Sequence, residues 1–445
     1  MQEWEGDSSV QAALDWFLSF VEPSLWENKK DKIKQHLRNV FAAKNSHILP
    51  PLEPDSTKVL YPYDTFSWYL FLAHSYNSEL EYYEFSQGAR IVPIFSIIGQ
   101  HLDLLKKASG VDELVQRIFR SETTNPDSAL FELLVGLAYL RNYWKKVTFL
   151  KPTKVTKTPD ILAESSRKHF FVECKRLSKS SAYSEQERKI WLRMSQLLRQ
   201  YLIDRKKPLI VDITFHVELR LLDQNLFENS LLSKLDLVAT RGTLIDNDVW
   251  TVSVDFVDFS KIRRHMQKYR VKNPSSSLIE LIFNQYEPGR GYSPVLECRS
   301  PESTYIEDIY FAAGAVWSCD AKEAIDKKSR HIHWHVAEAC SQLPDGQPGN
   351  IHIGLESHDG FIVEDARFTK IMHHFASFET KGKEMHWVYC HIFDPRTPPD
   401  DNWDFGETVL TFKSAHAGPE PLHFAPAVVL PDYAKLKNGV FWHVN

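Results

Sequence analysis

The chain has 445 residues, enough for two or three domains of ordinary size. Its 25% charged and 43% hydrophobic residues exclude a disordered chain, a collagen-like rod and a small disulfide-stapled scaffold. No apolar run approaches the roughly 18 residues that a membrane-spanning helix needs, and the net charge of −5 excludes nothing until the chain is divided.

In chain order, residues 1–122 read as an all-helical N-terminal region. Trp16, Phe17, Phe20 and Val21 have helical spacing, and DTFSWYLFLAHSY is apolar almost all round, which predicts a buried helix. A proline-rich loop from Leu49 to Pro62 separates the two, and a third helical stretch runs from Ile91 to Phe119 with a break at Gly110. SALFELLVGLAYLRNYW, from Ser128 to Trp144, predicts a helix with one strongly apolar side. Three short β-rich runs follow, KKVTFLKP, TPDILAE and HFFVECKRL, then a long helix over 184–204 and the apolar strand PLIVDITF. Residues 221–445 read as a mixed α/β region. VWTVSVDFV, NIHIGLE and MHWVYCHIF are its strands, and EAIDKKSRHIHWHVAEACSQL and a segment near 364–378 are its helices.

Charge is distributed unevenly. Arg141 to Ile210 carries 18 Lys and Arg against 6 Asp and Glu, so +12 sits in 70 residues while the remainder sums to −17. Such an island is the footprint expected where a polyanion lies, although a solvated lysine-rich face reads the same way. Five widely spread cysteines without a C-x-x-C pair argue against a disulfide framework or a cysteine zinc site, and fit a reducing cytoplasm. The opening MQEWEGDSSV has no basic-then-apolar run, so no secretory leader is expected.

The residues that carry chemistry lie in the second and third β runs. Pro159-Asp160 precedes Glu173-Cys174-Lys175 by a short hairpin segment, with Glu173 thirteen positions after Asp160. Strand alternation turns Glu173 and Lys175 to one side and Val172 and Cys174 to the other. Pairing the two strands can bring both carboxylates and the ammonium to one sheet edge. Carboxylate oxygens with water are what Mg²⁺ prefers, and a lysine beside the ion can orient or deprotonate water or offset charge on a phosphate. Six Pro-Asp dipeptides occur in the chain, so the dipeptide alone carries little; its weight comes from the strands around it.

Pro159-Asp160, Val172-Glu173-Cys174-Lys175-Arg176-Leu177 and the order helix, three strands, helix, strand resemble the PD-(D/E)xK nuclease superfamily, with its restriction-endonuclease-like fold. The resemblance covers about Ser128 to Phe215, a fifth of the chain, and places a nuclease-like αβββαβ core over 123–220 of a mixed α/β protein. It implies a Mg²⁺-dependent phosphodiesterase, with Mn²⁺ as an alternative ion. Asp160 and Glu173 would be metal ligands, the Cys174 carbonyl a further ligand, and Lys175 the catalytic base or transition-state stabiliser. It also gives Glu132 a role as an acid directed to the metal from the preceding helix. A salt bridge from Glu132 to Arg141 or to a lysine is the competing reading.

The helix after Lys175 offers a groove. Trp191, Met194, Leu198 and Tyr201 form a packing stripe, while Lys189, Arg193, Gln196 and Gln200 line another face that can track phosphates and bring Gln196 to the site. Lys154, Ser178 and Lys179 are weaker candidates for phosphate contacts. Histidines crowd the C-terminal half, at 331, 333, 335, 352, 358, 373, 374, 386 and 391, and HIHWH on a helix places His331 and His335 one turn apart.

The function expected is therefore a cytoplasmic Mg²⁺-dependent nuclease with DNA ahead of RNA as substrate, in microbial defence or DNA processing. Its flanking regions would supply substrate selection, control or homo-oligomer contacts. A non-catalytic nucleic-acid-binding module on the same fold, and a metal hydrolase built on the C-terminal histidines, are the alternatives.

Overall fold

The computed structural model describes residues 6–45, 61, 63–120, 126–152, 158–177, 181–223, 225–273, 275–287, 289–299, 305–329, 332–357, 359–375, 378–397, 403–417 and 427–430. Helix starts follow from capping chemistry. The Asp7 carboxylate accepts from the amides of Ser9 and Val10, Asp64 accepts from Ser67, and the Ser181 hydroxyl accepts from Ser184. The helices of ten or more residues are α1 (Ser8–Leu18), α2 (Pro23–Asn45), α3 (Thr65–Ser78), α4 (Phe85–Gln100), α5 (Val111–Arg120), α6 (Pro126–Arg141), α7 (Ala182–Asp204), α8 (Ile332–Gln342) and α9 (Phe361–Phe375).

The strands are β1 (Lys146–Phe149), β2 (Ile161–Glu164), β3 (His169–Leu177), β4 (Leu209–Phe215), β5 (Gly242–Asp246), β6 (Trp250–Phe256), β7 (Val271–Lys272), β8 (Gly291–Arg299), β9 (Tyr305–Ile306), β10 (Asp308–Cys319), β11 (Gly349–Glu356), β12 (Met385–Arg396) and β13 (Asp404–Lys413). They build a six-stranded sheet in the order β1-β2-β3-β11-β12-β13, a five-stranded sheet in the order β5-β6-β4-β10-β8, and a small β7-β9 pair. The class is mixed α/β, as expected.

In the first sheet β1, β2 and β3 are antiparallel, β3, β11 and β12 run parallel, and β13 returns antiparallel. All eight residues of β11 are buried, as suits a strand with parallel neighbours on both sides and helices over both faces. One face packs on α6 and the N-terminal helices, in a continuous core that includes Phe17, Phe71, Phe131, Val172 and Val428. The other face packs on α8 and α9 through Val336, Cys340, Ile353, Ile371 and Ile392. The N-terminal region is helical, but its core is the same cluster that underlies the sheet. Hence α6 is buried on nearly every side rather than on one. Gly136 lets α6 sit tight on β1, since a Cβ there would lie 2.5 Å from Phe149 Cζ.

The expected run of elements is broken after β3. The helix over 184–204 and the strand over 208–215 form as α7 and β4, but both belong to the second sheet. Trp191, Met194, Leu198 and Leu202 of α7 cover Val211, Ile213 and Phe215 of β4, and β4 pairs with β6 and β10. The open edge of β3 is taken by β11, with Glu173 opposite Ile351 and Lys175 opposite Ile353. The helix that precedes this strand is α8. The segment 123–220 therefore does not form one continuous unit: α6, β1, β2 and β3 share the first sheet with α8 and β11, and residues 182–329 intervene between β3 and α8. Apolar patterning marks β4 and β11 as strands alike, and does not say which of them β3 will accept. The single helix expected over EAIDKKSRHIHWHVAEACSQL is two, a short one over Lys322–Lys328 and α8.

Candidate functional site

Asp160 stands immediately before β2. Its amide donates to the Val172 carbonyl at 3.1 Å, and its carbonyl accepts from Leu150 at 2.8 Å, so the backbone is pinned between β1 and β3. The side chain then reaches across β3, where Oδ2 accepts from the Cys174 amide at 2.8 Å. Strand alternation does the rest. Val172 and Cys174 face the core under α6, whereas Glu173 and Lys175 point to α8. Lys175 Nζ lies 3.1 Å from Glu173 Oε1 and 3.9 Å from Glu338 Oε1. Gln342, at the end of α8, bridges the pair once its amide is assigned the orientation that satisfies its neighbours: the nitrogen then donates to Glu173 Oε1 at 3.0 Å and the oxygen accepts from Lys175 Nζ at 2.5 Å. Glu173 Oε2 is buried with no partner.

Glu132 approaches from α6. Its partner is Arg117 of α5, with Nη2 at 2.5 Å from Oε2. Arg141 is engaged elsewhere, donating to the carbonyls of Ala427, Val428 and Leu430. Burial first, then the charge of Asp160, pushes Glu132 up to about 8 against the opposing pull of Arg117 and Lys175. The same two causes push Glu173 up to about 8, opposed by Lys175. Burial also raises Asp160, with the Cys174 amide, Lys175 and Arg117 acting the other way. The Cys174 thiol is driven upward by burial and then by all three carboxylates, which holds it protonated. Three acids from three elements thus share one electrostatic neighbourhood.

Each acid is turned to a protein donor: Asp160 to a backbone amide, Glu132 to Arg117, Glu173 to Lys175 and Gln342. Among the described residues, no three carboxylate, imidazole or thiol side chains already converge on a point that would hold a metal ion. The donor set is nonetheless all oxygen, one oxygen of Glu173 is orphaned, and the raised carboxyls are what a divalent cation would relieve. The chemistry of these residues fits such an ion.

The remaining candidates separate. Lys189, Arg193, Gln196 and Gln200 do form an exposed row on α7, but that helix packs on the second sheet, and Gln200 is bonded to Asp204 at 2.8 Å. Gln342, not Gln196, is the glutamine at the acids. Lys154, Ser178 and Lys179 lie outside the described residues. Much of the basic island is consumed in ion pairs rather than spread as one surface: Lys146 with Glu164, Lys151 with Glu113, Arg176 with Glu356 and Lys206 with Glu297. Of the histidines, 331 and 358 lie outside the described residues. His333 is exposed beside His374, with ring centroids 5.0 Å apart.

His352 and His391 are fully buried on β11 and β12. His352 Nδ1 is 2.9 Å from His391 Nε2, and His391 Nδ1 is 3.1 Å from Glu407 Oε1. Tyr139 Oη stands 3.3 Å from the other nitrogen of His352. These imidazoles form a hydrogen-bonded series inside the core, not an open metal site.

Arg117, Glu338 and Gln342 escaped the sequence reading. His335, Glu338 and Gln342 recur at helical spacing ahead of an apolar strand, and SQL occurs both at 195–197 and at 341–343. That periodicity was the available signal. In comparison with known proteins, no family model, no curated protein and no solved structure matches the chain.

Proposed function

We propose that the protein is a divalent-metal-dependent nuclease, with Mg²⁺ or Mn²⁺ as its ion and DNA ahead of RNA as substrate. The observation that carries this reading is that Glu132 of α6, Asp160 just before β2 and Glu173 of β3 share one electrostatic neighbourhood beside Lys175, all three raised by burial and the two glutamates also by the charge of Asp160. The order α6, β1, β2, β3, α8, β11, with β11 parallel to β3, supports a PD-(D/E)xK-like core interrupted by residues 182–329. The free cysteines fit a reducing compartment, and no described helix is long and apolar enough to cross a membrane. A role in defence or DNA processing, in a cytoplasmic setting, is part of the same proposal.

Asp160, Glu173 and Glu132 would hold the ion, with the Cys174 carbonyl as a further candidate. When bound, the ion supplies a water of lowered pKa and positive charge opposite the scissile phosphate. Lys175 offsets charge as the phosphate accepts the nucleophile, and Gln342 fixes both Lys175 Nζ and Glu173 Oε1 in place. Burial of Glu173 keeps bulk water from competing for its oxygens.

The test uses the full chain with plasmid DNA, single-stranded DNA and RNA, each in Mg²⁺, in Mn²⁺ and in chelator. Asp160→Ala and Lys175→Ala are expected to lower cleavage by about 10²–10³-fold or more. Gln342→Ala should lower it by about tenfold, while Gln196→Ala leaves it unchanged. Wild-type protein that cleaves none of the three in either ion sinks the reading. A non-catalytic binding module is the second reading, favoured by the fact that Arg117 and Lys175 already neutralise the acids. It predicts nucleic-acid binding without turnover.

A further inference from the structure

The helix that brings Gln342 and Glu338 to the acids carries a large aromatic residue that the core does not use. α8 buries Ile332, Val336, Ala339 and Cys340 on one stripe. Glu338 and Gln342 turn toward Lys175 and Glu173 of β3, and Trp334 falls next to Glu338 on the same flank, one turn closer to the helix start. Glu338 Oε1 is 3.9 Å from Lys175 Nζ, and one helical turn adds about 6 Å along the axis. Trp334 is 65% exposed, although tryptophan is usually among the most covered of side chains. Its described ring neighbour is His335, which meets it edge-on at 82° with centroids 5.4 Å apart, an arrangement that leaves indole surface to solvent.

We propose that Trp334 is a stacking platform for an unpaired nucleobase of the strand whose phosphate lies at Lys175, so that the preferred substrate is single-stranded at the cut. This rests on the nuclease reading above. Four residues of helix from Glu338 to Trp334 span about 6 Å, more than the roughly 3.4 Å between stacked bases of a duplex strand and within reach of the next base of an unstacked, extended strand. Indole faces accept any base, so the contact selects strandedness rather than sequence. A base held inside an intact duplex is stacked on both sides and has no face to offer.

The experiment measures binding of a fluorescein-labelled twelve-nucleotide DNA strand, and of the same sequence as a blunt duplex, to full-length protein carrying Asp160→Asn to stop cleavage. Trp334→Ala, which removes an exposed side chain, is expected to weaken single-strand binding roughly tenfold and duplex binding less than about twofold. Trp334→Phe should restore most of the loss, and a strand with a run of abasic sites should bind Trp334→Ala and its parent alike. Equal effects on single strand and duplex, or no effect on either while both still bind, would overturn the stacking role and leave the nuclease reading standing. Failure of both oligonucleotides to bind the parent protein would overturn both.

Discussion

Glu132 and Glu173 hold protons far above the ordinary glutamate value of 4.5, each at about 8, because burial and neighbouring carboxylates penalise the charged forms. The folded protein thus keeps protons that the unfolded chain releases from about pH 4.5 upward. The contribution of this cluster to stability is full below that pH and is lost as pH rises through about 8. In chelator, the melting temperature is expected to fall between pH 6 and 8.5, and Glu173→Gln should flatten the fall. Added Mg²⁺ should stabilise the protein more at the alkaline end, because ion and proton compete for the same oxygens. An unchanged pH slope in Glu173→Gln would show that the acids do not titrate together. Asp160, Glu173 and Lys175 were legible as a group because two short strands joined by a hairpin leave little freedom in where their side chains go. Arg117 and Gln342 were not, because nothing local ties a helix 40 residues earlier or 170 later to that edge.

Between elements, the first sheet is tied together by a buried polar series. Tyr139 of α6, His352 of β11, His391 of β12 and Glu407 of β13 lie in hydrogen-bonded succession. Glu407 also accepts from the amides of Val428, Val429 and Leu430, at 2.8, 2.9 and 3.1 Å. Burial and the neighbouring His391 hold His352 well below its ordinary value, so it stays neutral, while the His391 hydrogen bond and the backbone amides hold Glu407 low against its burial. Replacing Glu407 with Ala leaves an imidazole and three amides without their acceptor. It is expected to cost about 3–5 kcal/mol, read by denaturant unfolding, together with faster hydrogen exchange at residues 428–430. A loss under about 1 kcal/mol would mean that water takes over the bonds. The crowding of histidines in the sequence left a metal hydrolase as an alternative; only strand register decided that His352 and His391 meet in the core.

The two sheets have separate cores, and specific contacts join the units around them. Lys272 of β7 donates to the carbonyls of Leu80 and Tyr83 in the helical region, with its ammonium 4.5 Å from the Phe85 ring centroid and 5.0 Å from that of Tyr305. Burial lowers this lysine toward about 7, countered first by Glu84; the carbonyls and rings favour the charged form. Lys328 pairs with Glu187 of α7, and Ser184 donates to Asp359 at 3.0 Å, so the intervening unit is also tethered near α9. Lys272→Met should cost about 2–3 kcal/mol by stranding two buried carbonyls, and calorimetry should then resolve an earlier transition for the second sheet. A single transition at the wild-type temperature would count against the tether.

Secondary structure came largely from local terms: the apolar periods, the caps at Asp7, Asp64 and Ser181, and strand alternation at Glu173 and Lys175. Those terms act over a few residues and are written into the sequence itself. Which strand completes β3, which helix overlies the acids and which cations neutralise them depend on contacts between segments far apart in the chain. β4 and β11 are both apolar enough to be central strands, so their choice of sheet rests on how α7 and α8 pack, a competition that only the assembled core resolves.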